Sequence, residues 1–383
     1  MKNKILIFIA SVIAITCAIS VFSCGTGPTA PADEKSKSSQ THRVSFIAVG
    51  DNLFHDSVIK SSYDEATGEY NFFPIYTEIK NIVKKADLAF INQETVMAGT
   101  QFGYSGYPAF NTPQSLAPAL ADAGFDIFNL ANNHAMDKGA SGLISTLDYL
   151  DTIKGITVIG ARKEGAPARI ITINNITFGF LAYTHSLNGI PLPANNPNLV
   201  SMINKTKMTE EIKDLRPLCD YLVVSIHWGD EYKLEPGNDQ TDLAQFIAEQ
   251  NVDLIIGHHP HVLQRVETIT LSGGRKTICY FSLGNFASHQ RERERIIGGM
   301  AVLTFTKSKD GELTISDFGL LPVITHYNRS FNNTKIYPFY AYTEELLAEH
   351  GLKNFGPGLS MDFFYGVTKR LNTKIIMHDP FAK

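Results

Sequence analysis

A chain of 383 residues with 44% hydrophobic and 19% charged content carries enough apolar side chains to bury a large core, which excludes a wholly disordered protein. Its 34 basic and 38 acidic residues leave a formal charge of −4, so there is no bulk attraction to nucleic acid, and nucleic acid is not expected as a partner.

Lys2 and Lys4 precede an apolar run from Ile5 to Phe22, the layout of a secretory signal, and residues 1–24 are read as a signal or N-terminal anchor. Val21, Phe22 and Ser23 before Cys24 resemble a bacterial lipobox, in which a small residue precedes a cysteine that becomes lipidated. An uncleaved spanning helix is the rival reading. Both place the remaining chain on the extracytoplasmic face of the cell envelope, anchored to the membrane. Residues 25–42 are poor in large apolar side chains and read as a tether. Beyond it only Cys219 and Cys279 remain, either paired or buried as free thiols.

Strand-like and helix-like segments then alternate, which predicts an α/β domain over residues 43–325. Strands are expected at Arg43–Val49, Asp87–Ile91, Asp126–Leu130, Thr157–Ile159, Tyr221–Ile226 and Asp253–Ile256, and a hairpin turning at Asn174-Asn175 within Ile170–Leu181. Pro74–Lys85 is amphipathic, and helices are expected at Gln114–Ala123, Ser141–Leu150, Met208–Leu215 and Asp242–Gln250. Four strands follow in succession, Val262–Leu271, Thr277–Phe281, Met300–Lys307 and Leu313–Leu320, which implies antiparallel pairing. Residues 326–383 read as a small helical appendage.

Five strands run into polar clusters at their C-terminal ends, where open α/β sheets place their sites. These clusters are Gly50-Asp51-Asn52, Asn92-Gln93-Glu94, Asn132-Asn133-His134, His227-Trp228-Gly229-Asp230-Glu231 and His258-His259-Pro260-His261. A single Asp-Asn pair after a strand is usually a turn or a cap, but five of the twelve histidines fall in these clusters. Carboxylate, imidazole and amide oxygens together suit Mn²⁺, Zn²⁺ or Fe²⁺ at a catalytic centre, and the absence of cysteine there argues against structural zinc. Pro260 stiffens the backbone between His259 and His261, which makes them the favoured ligand pair.

The segments GDNLFHD from Gly50, ADLAFINQE from Ala86, YSGYPAFNTP from Tyr104, FNLANNHAMDKG from Phe128, HWGDEY from His227, IGHHPHVLQ from Ile256 and YFSLGNF from Tyr280 resemble, in order, the CapA proteins of capsule and poly-γ-glutamate biosynthesis, within the calcineurin-like metallophosphoesterase superfamily. The resemblance implies a four-layer αββα sandwich with two divalent ions at one rim. By motif, Asp51 corresponds to a ligand of the first ion, Glu94 to the bridging carboxylate, Asn133, His227 and His259 to ligands of the second ion, and His261 to a ligand returning to the first. His134 corresponds to the histidine that stabilises or protonates the leaving group, with Asp137 orienting it. Leu53 stands where the superfamily generally has a ligand histidine, and Glu94 where aspartate is usual. His55 either substitutes for the missing imidazole or faces solvent, and His258 is a further candidate donor.

The expected function is a metal-dependent hydrolase acting on a phosphoester or an anionic envelope polymer. The alternative is a non-catalytic polymer-binding or scaffold lipoprotein of a membrane synthase complex. Arg291-Glu292-Arg293-Glu294-Arg295 is read as a solvated segment of alternating charge rather than a set of substrate cations. Tyr104, Tyr107 and Phe110 belong either to a loop over the site or to a satellite cluster beneath it. Trp228 and Tyr232 are expected to wall the pocket, while His185, His289 and His326 are read as ordinary partly buried histidines.

Overall fold

The computed structural model describes residues 40–163 and 169–382; the signal or anchor, Cys24 and most of the tether fall on residues outside these. The first half contains β1 (His42–Asn52), α1 (Asp56–Ser61), β2 (Tyr63–Asp64), β3 (Glu69–Tyr70), α2 (Lys80–Val83), β4 (Leu88–Gln93), α3 (Leu116–Ala123), β5 (Ile127–Asn129), α4 (Gly139–Leu150), β6 (Thr157–Ile159), β7 (Arg169–Ile173) and β8 (Ile176–Thr184). There follow α5 (Lys205–Leu215), β9 (Tyr221–His227), α6 (Asn238–Glu249), β10 (Leu254–His258), β11 (Val266–Thr270), β12 (Lys276–Tyr280), β13 (Asn285–Ala287), β14 (Ile297–Lys307), β15 (Leu313–His326), β16 (Lys335–Pro338), α7 (Glu344–Glu349) and α8 (Met361–Lys369).

One sheet runs β16-β15-β14-β1-β4-β5-β6, with β13 alongside the end of β1, and the other runs β11-β12-β10-β9-β8-β7. In the first sheet β1, β4, β5 and the edge strand β6 lie parallel and β14–β16 form one antiparallel flank; in the second, β8, β9, β10 and β12 lie parallel between the antiparallel edges β7 and β11. Buried parallel strands read as continuous apolar runs, as β1 and β9 do.

The period of two along each strand sorts side chains between layers. Ile47, Ile91 and Phe128 pack with Leu116, Leu120, Leu143 and Leu147 of α3 and α4. Their neighbours Phe46, Ala48 and Phe90 face Phe178, Phe180, Val223 and Ile256 of the second sheet. On its far side that sheet buries Leu222, Val224 and Ile255 under Met208 and Ile212 of α5 and Ala244 and Ile247 of α6. Helices, sheet, sheet, helices is the αββα layering that the resemblance implies.

Local chemistry explains the turns read correctly. Asn174 and Asn175 take φ of 48° and 59°, the left-handed pair that a tight hairpin needs and asparagine tolerates. The amphipathic stretch 74–85 departs from expectation: it breaks into a 3₁₀ turn at Phe73–Tyr76 and the four-residue α2. Only Val266–Thr270 of the expected strand 262–271 is extended, because the preceding residues turn to carry His261. The strands after β10 pair antiparallel as β11–β12 and β14–β15, but the two pairs lie in different sheets. Residues 326–382 add the edge strand β16, and Phe339, Leu347, Phe364 and Val367 join the core between the sheets. Cys219 and Cys279 are free thiols. No helix among the described residues is long and apolar enough to cross a membrane.

Two buried histidines away from the polar strand ends give the fold an acid limit. His350 Nε2 donates to the Thr325 carbonyl at 3.1 Å and Nδ1 accepts from Leu352 N at 3.0 Å, which fixes a neutral ring. His289 lies between Ser57 Oγ and Thr334 Oγ1, each at 2.8 Å. Burial pushes His350 down to about 4 and His289 down to about 3. Below the ordinary histidine value of about 6.5 the unfolded chain takes up protons that the folded chain refuses, so stability is complete above that value and falls towards pH 4. His350 and His289 together are expected to contribute about 4 kcal/mol to the difference in denaturant unfolding between pH 7 and pH 5, and His350→Gln is expected to shrink the measured difference by about 2 kcal/mol.

Candidate metal centre

The rim is built where β1, β4 and the segment after β5 meet β9 and β10 of the other sheet. Asp51, Glu94, His227 and His258 are completely buried, and Asn133, His134, His259 and His261 nearly so. Asp51 is aimed by neighbours: Asn92 Nδ2 donates to its Oδ1 at 2.7 Å, His259 N approaches Oδ2 at 3.3 Å, and His261 Nδ1 lies 3.0 Å from Oδ2. Asn129 Nδ2 donates to Asn92 Oδ1 at 2.8 Å and to Ser225 Oγ at 3.2 Å, which ties the floor of the rim across both sheets.

A second group sits on the other side of Glu94. His227 Nε2 lies 2.9 Å from Asn133 Oδ1 and 3.2 Å from His259 Nδ1. Glu94 Oε1 is 3.7 Å from both His227 Nε2 and His261 Nε2, so the carboxylate stands between the two groups. Donor atoms of Asp51, Glu94 and His261 fall within 4.8 Å of one another, as do those of Glu231, His259 and His261. His259 and His261 both have positive φ, 95° and 57°, flanking Pro260. Non-glycine residues rarely hold that conformation, which costs about 1–3 kcal/mol each and is typical of functional sites.

Electrostatics at the rim favours a cation. Both Glu94 oxygens are buried without a hydrogen-bond partner, and burial together with the Asp51 charge holds this carboxyl well above the usual range. Burial and the neighbouring His259 ring keep His227 well below its ordinary value, and burial and His261 push His259 down to about 3. Both rings are therefore neutral, with lone pairs to offer. Burial would lower His261 and raise Asp51, but their mutual attraction prevails: with Glu94 also facing it, His261 rises to about 9, and with His258 also facing it, Asp51 lies well below the usual carboxylate value. A buried carboxyl group without a hydrogen-bond partner, amid imidazoles and an amide oxygen, is a donor set that fits divalent ions.

Beside the donors, His134 Nδ1 lies 2.8 Å from Asp137 Oδ2, which also accepts from Phe110 N at 2.7 Å. A carboxylate only accepts, so the Nδ1 proton belongs to His134 and Nε2 is left available. Phe110 packs edge-on against His134 with ring centres 4.6 Å apart, so the 104–110 loop does reach the site; Tyr107 is exposed over it, while Tyr104 packs against Tyr70 instead.

Every residue expected at the rim is brought there, with corrections at its edges. His258 sits below Asp51, its Nδ1 3.5 Å from Oδ1, with its ring stacked on Phe90. His55 lines the adjoining cleft edge-on to Phe110, outside both donor groups among the described residues. Leu53 is buried and bonded through its N–H to the Ala287 carbonyl. Trp228 does not wall this cleft: its indole donates to the Phe281 carbonyl on the α6 side. His185 is an exposed histidine outside both donor groups among the described residues; its Nδ1 meets the His227 carbonyl at 3.0 Å and its ring lies 4.6 Å from His259. Arg291 and Glu292 are exposed, as a solvated segment requires, and Arg291 and the half-buried Arg295 also line the cleft. Glu231 and Asn285 were not singled out as site residues, although both lie in quoted motifs; Asn285 Oδ1 holds His261 Nδ1 at 3.0 Å.

The bacterial capsule synthesis protein PGA_cap model matches residues 45–290. The PGA biosynthesis protein CapA of Bacillus subtilis (strain 168) is 32% identical over 186 residues, 47% of this chain and 47% of that protein. The capsule biosynthesis protein CapA of Bacillus anthracis is 32% identical over 181 residues, 45% of this chain and 42% of that protein. These matches span about half the length of each relative. Among solved structures, the NAD nucleotidase of Haemophilus influenzae aligns with 88% of this chain and 58% of its own, at 12% identity and a TM-score of 0.42. The matched stretch 45–290 takes in all five polar strand ends and more than half of the chain, and the protein belongs to the bacterial capsule synthesis PGA_cap family.

Proposed function

We propose that the protein is a metal-dependent hydrolase of capsule or poly-γ-glutamate biosynthesis, export or anchoring, held at the outer face of the cell membrane by its N-terminal segment. The observation that carries this reading is Glu94, buried, unpartnered, and 3.7 Å from imidazole nitrogens on either side. Asp51 and His261 would hold one divalent ion, Asn133, His227 and His259 a second, and Glu94 both; Mn²⁺, Zn²⁺ and Fe²⁺ suit the set. Ions held there would polarise the substrate oxygen under attack and acidify a water. Asp137 keeps the Nδ1 proton of His134 in place and leaves Nε2 for the substrate, so His134 would first take up a proton at Nε2 and then pass it to the leaving group. The names of the Bacillus relatives support an anionic capsule polymer as the substrate, with a phosphoester as the other candidate.

Elemental analysis and a hydrolysis screen test the proposal together. Close to two divalent ions per chain and turnover of polyglutamate or a phosphoester are expected. Absence of tightly held metal after reconstitution with Mn²⁺ or Zn²⁺ would overturn it. His134→Asn is expected to lower kcat by roughly 10²–10⁴ with metal content unchanged, as loss of a proton donor requires.

Leu53 favours a second reading. An apolar, backbone-anchored residue stands where the superfamily resemblance implies an imidazole, which suits a protein that binds an acidic polymer, or serves as scaffold to a membrane synthase complex, without cleaving it. Polymer binding that survives complete metal removal, with no turnover of any substrate, distinguishes it.

A further inference from the structure

The cleft that opens beside His261 and His134 has a volume of about 580 Å³ and is also lined by Lys60, Arg291 and Arg295. Two of its three acidic side chains have partners, and the third, Glu231, is exposed. Asp56 Oδ1 accepts from Gly106 N at 2.6 Å, Glu292 Oε2 lies 3.1 Å from Arg295 Nη1, and Glu231 stands with His259 and His261 in a donor group. Among the described residues no carboxylate lies within ion-pair distance of Arg291 or Lys60. Lys60 and Arg291 are thus the cleft cations without a carboxylate partner.

Both guanidinium groups are held by their faces. The Arg295 Cζ lies 3.4 Å above the ring centre of Tyr232, and that of Arg291 lies 4.6 Å from Phe355 and 5.8 Å from Phe331. Stacking fixes the plane of an arginine without using its edge N–H groups, the arrangement that grips a carboxylate or phosphate through two parallel hydrogen bonds; among the described residues Arg291 has no ion-pair partner, while Arg295 shares Nη1 with Glu292. Arg295 is further tied to the rim: its carbonyl accepts from Asn285 Nδ2 at 2.7 Å, and Asn285 Oδ1 meets His261 Nδ1 at 3.0 Å. Asn285 thus links the backbone of Arg295 to a candidate metal ligand, in a cleft that His261 also lines.

We propose that Arg291 and Arg295, with Lys60, form a subsite for the carboxylate of the unit flanking the linkage under attack, so that the ligand is a flexible polyanion with a carboxylate on every unit. This deepens the polymer reading above and rests on it. The arginines are specificity-determining residues here, outside the acid–base chemistry.

Titration calorimetry on the full chain in detergent, with a six-unit glutamate oligomer joined through side-chain amides and its neutral carboxamide counterpart, tests the subsite. The charged oligomer is expected to bind roughly tenfold or more tightly than the neutral one, and Arg291→Ala is expected to remove most of that difference without changing affinity for the neutral oligomer. Arg291→Lys restores part of it, because the charge returns without the fork. Arg295→Ala, checked by melting temperature since it also frees Tyr232, behaves like Arg291→Ala. Equal binding of the two oligomers to the native chain, or unchanged affinity in both alanine variants, overturns the subsite, and tighter binding of a six-unit phosphodiester overturns its assignment to carboxylate. Metal content and turnover are measured on the same native sample, so a hydrolase reading that fails there is told apart from a subsite that fails in the titration.

Discussion

Glu94→Gln is expected to stabilise the metal-free protein while abolishing the stabilisation that added metal confers. Both Glu94 oxygens are buried without hydrogen-bond partners, and burial together with the Asp51 charge holds the carboxyl well above the usual range, so the folded apo chain tolerates this group at a cost of roughly 1–3 kcal/mol. A neutral amide of the same shape relieves most of that and raises Tm of the apo form by a few degrees. In native protein, Mn²⁺ or Zn²⁺ at a thousandfold above Kd adds about 4 kcal/mol, because ions bind the folded chain only. The glutamine variant, lacking the central anion, loses this response. Thermal melts of both proteins, with chelator and with metal, give four numbers that must cross over. A glutamine variant that is less stable in chelator and still stabilised by metal would remove Glu94 from the centre.

Adding one methyl group at Gly50 or Gly257 is expected to be worse than removing any single donor. A Cβ on Gly50 would overlap the Gly284 carbonyl oxygen, and one on Gly257 the Phe281 carbonyl oxygen. Neither obstacle is a side chain that can swing aside; both are backbone, and Asp51 N donates to that same Gly284 oxygen at 2.9 Å. Gly50→Ala and Gly257→Ala therefore force apart strands immediately before Asp51 and His258. A loss of more than about 4 kcal/mol is expected, seen as insoluble protein or a Tm lowered by ten degrees or more. By contrast, alanine at Gly189, which has open space around it, is expected to cost only the strain of its φ of 78°.

These two residues show why so much of the site was legible. A donor at the end of a buried strand needs a turn directly after an apolar run, and that pattern survives in sequence at Asp51, Asn133, His227 and His259. Asp51 and His259 lie 208 positions apart, yet each announces itself locally, and the ordered motifs join them. What stayed hidden depends on contacts that no local pattern encodes. Trp228 and Tyr232 flank the same histidine and look equivalent, but the indole turns to the α6 side while the phenol ring supports Arg295. Arg291 and Arg295 read as solvated charge because their aromatic supports, Phe331 and Phe355 for one and Tyr232 for the other, are distant in sequence. Short elements such as β13 escaped because a three-residue strand has no periodicity to detect.

The donors come from two different sheets: Asp51 and Glu94 from one, His227, His259 and His261 from the other. An ion seated among them would act as a rivet through the edge of the sandwich, resisting any hinge-like parting of the sheets. Neither half of the molecule can assemble the pocket by itself, so loading is a late event that certifies a finished fold. Amide hydrogen exchange in β9 and β10 should then slow on metal addition well beyond the residues that touch it, and a chain cut between β6 and β7, which parts Asp51 and Glu94 from the three histidines, should bind no metal until its two pieces are reunited.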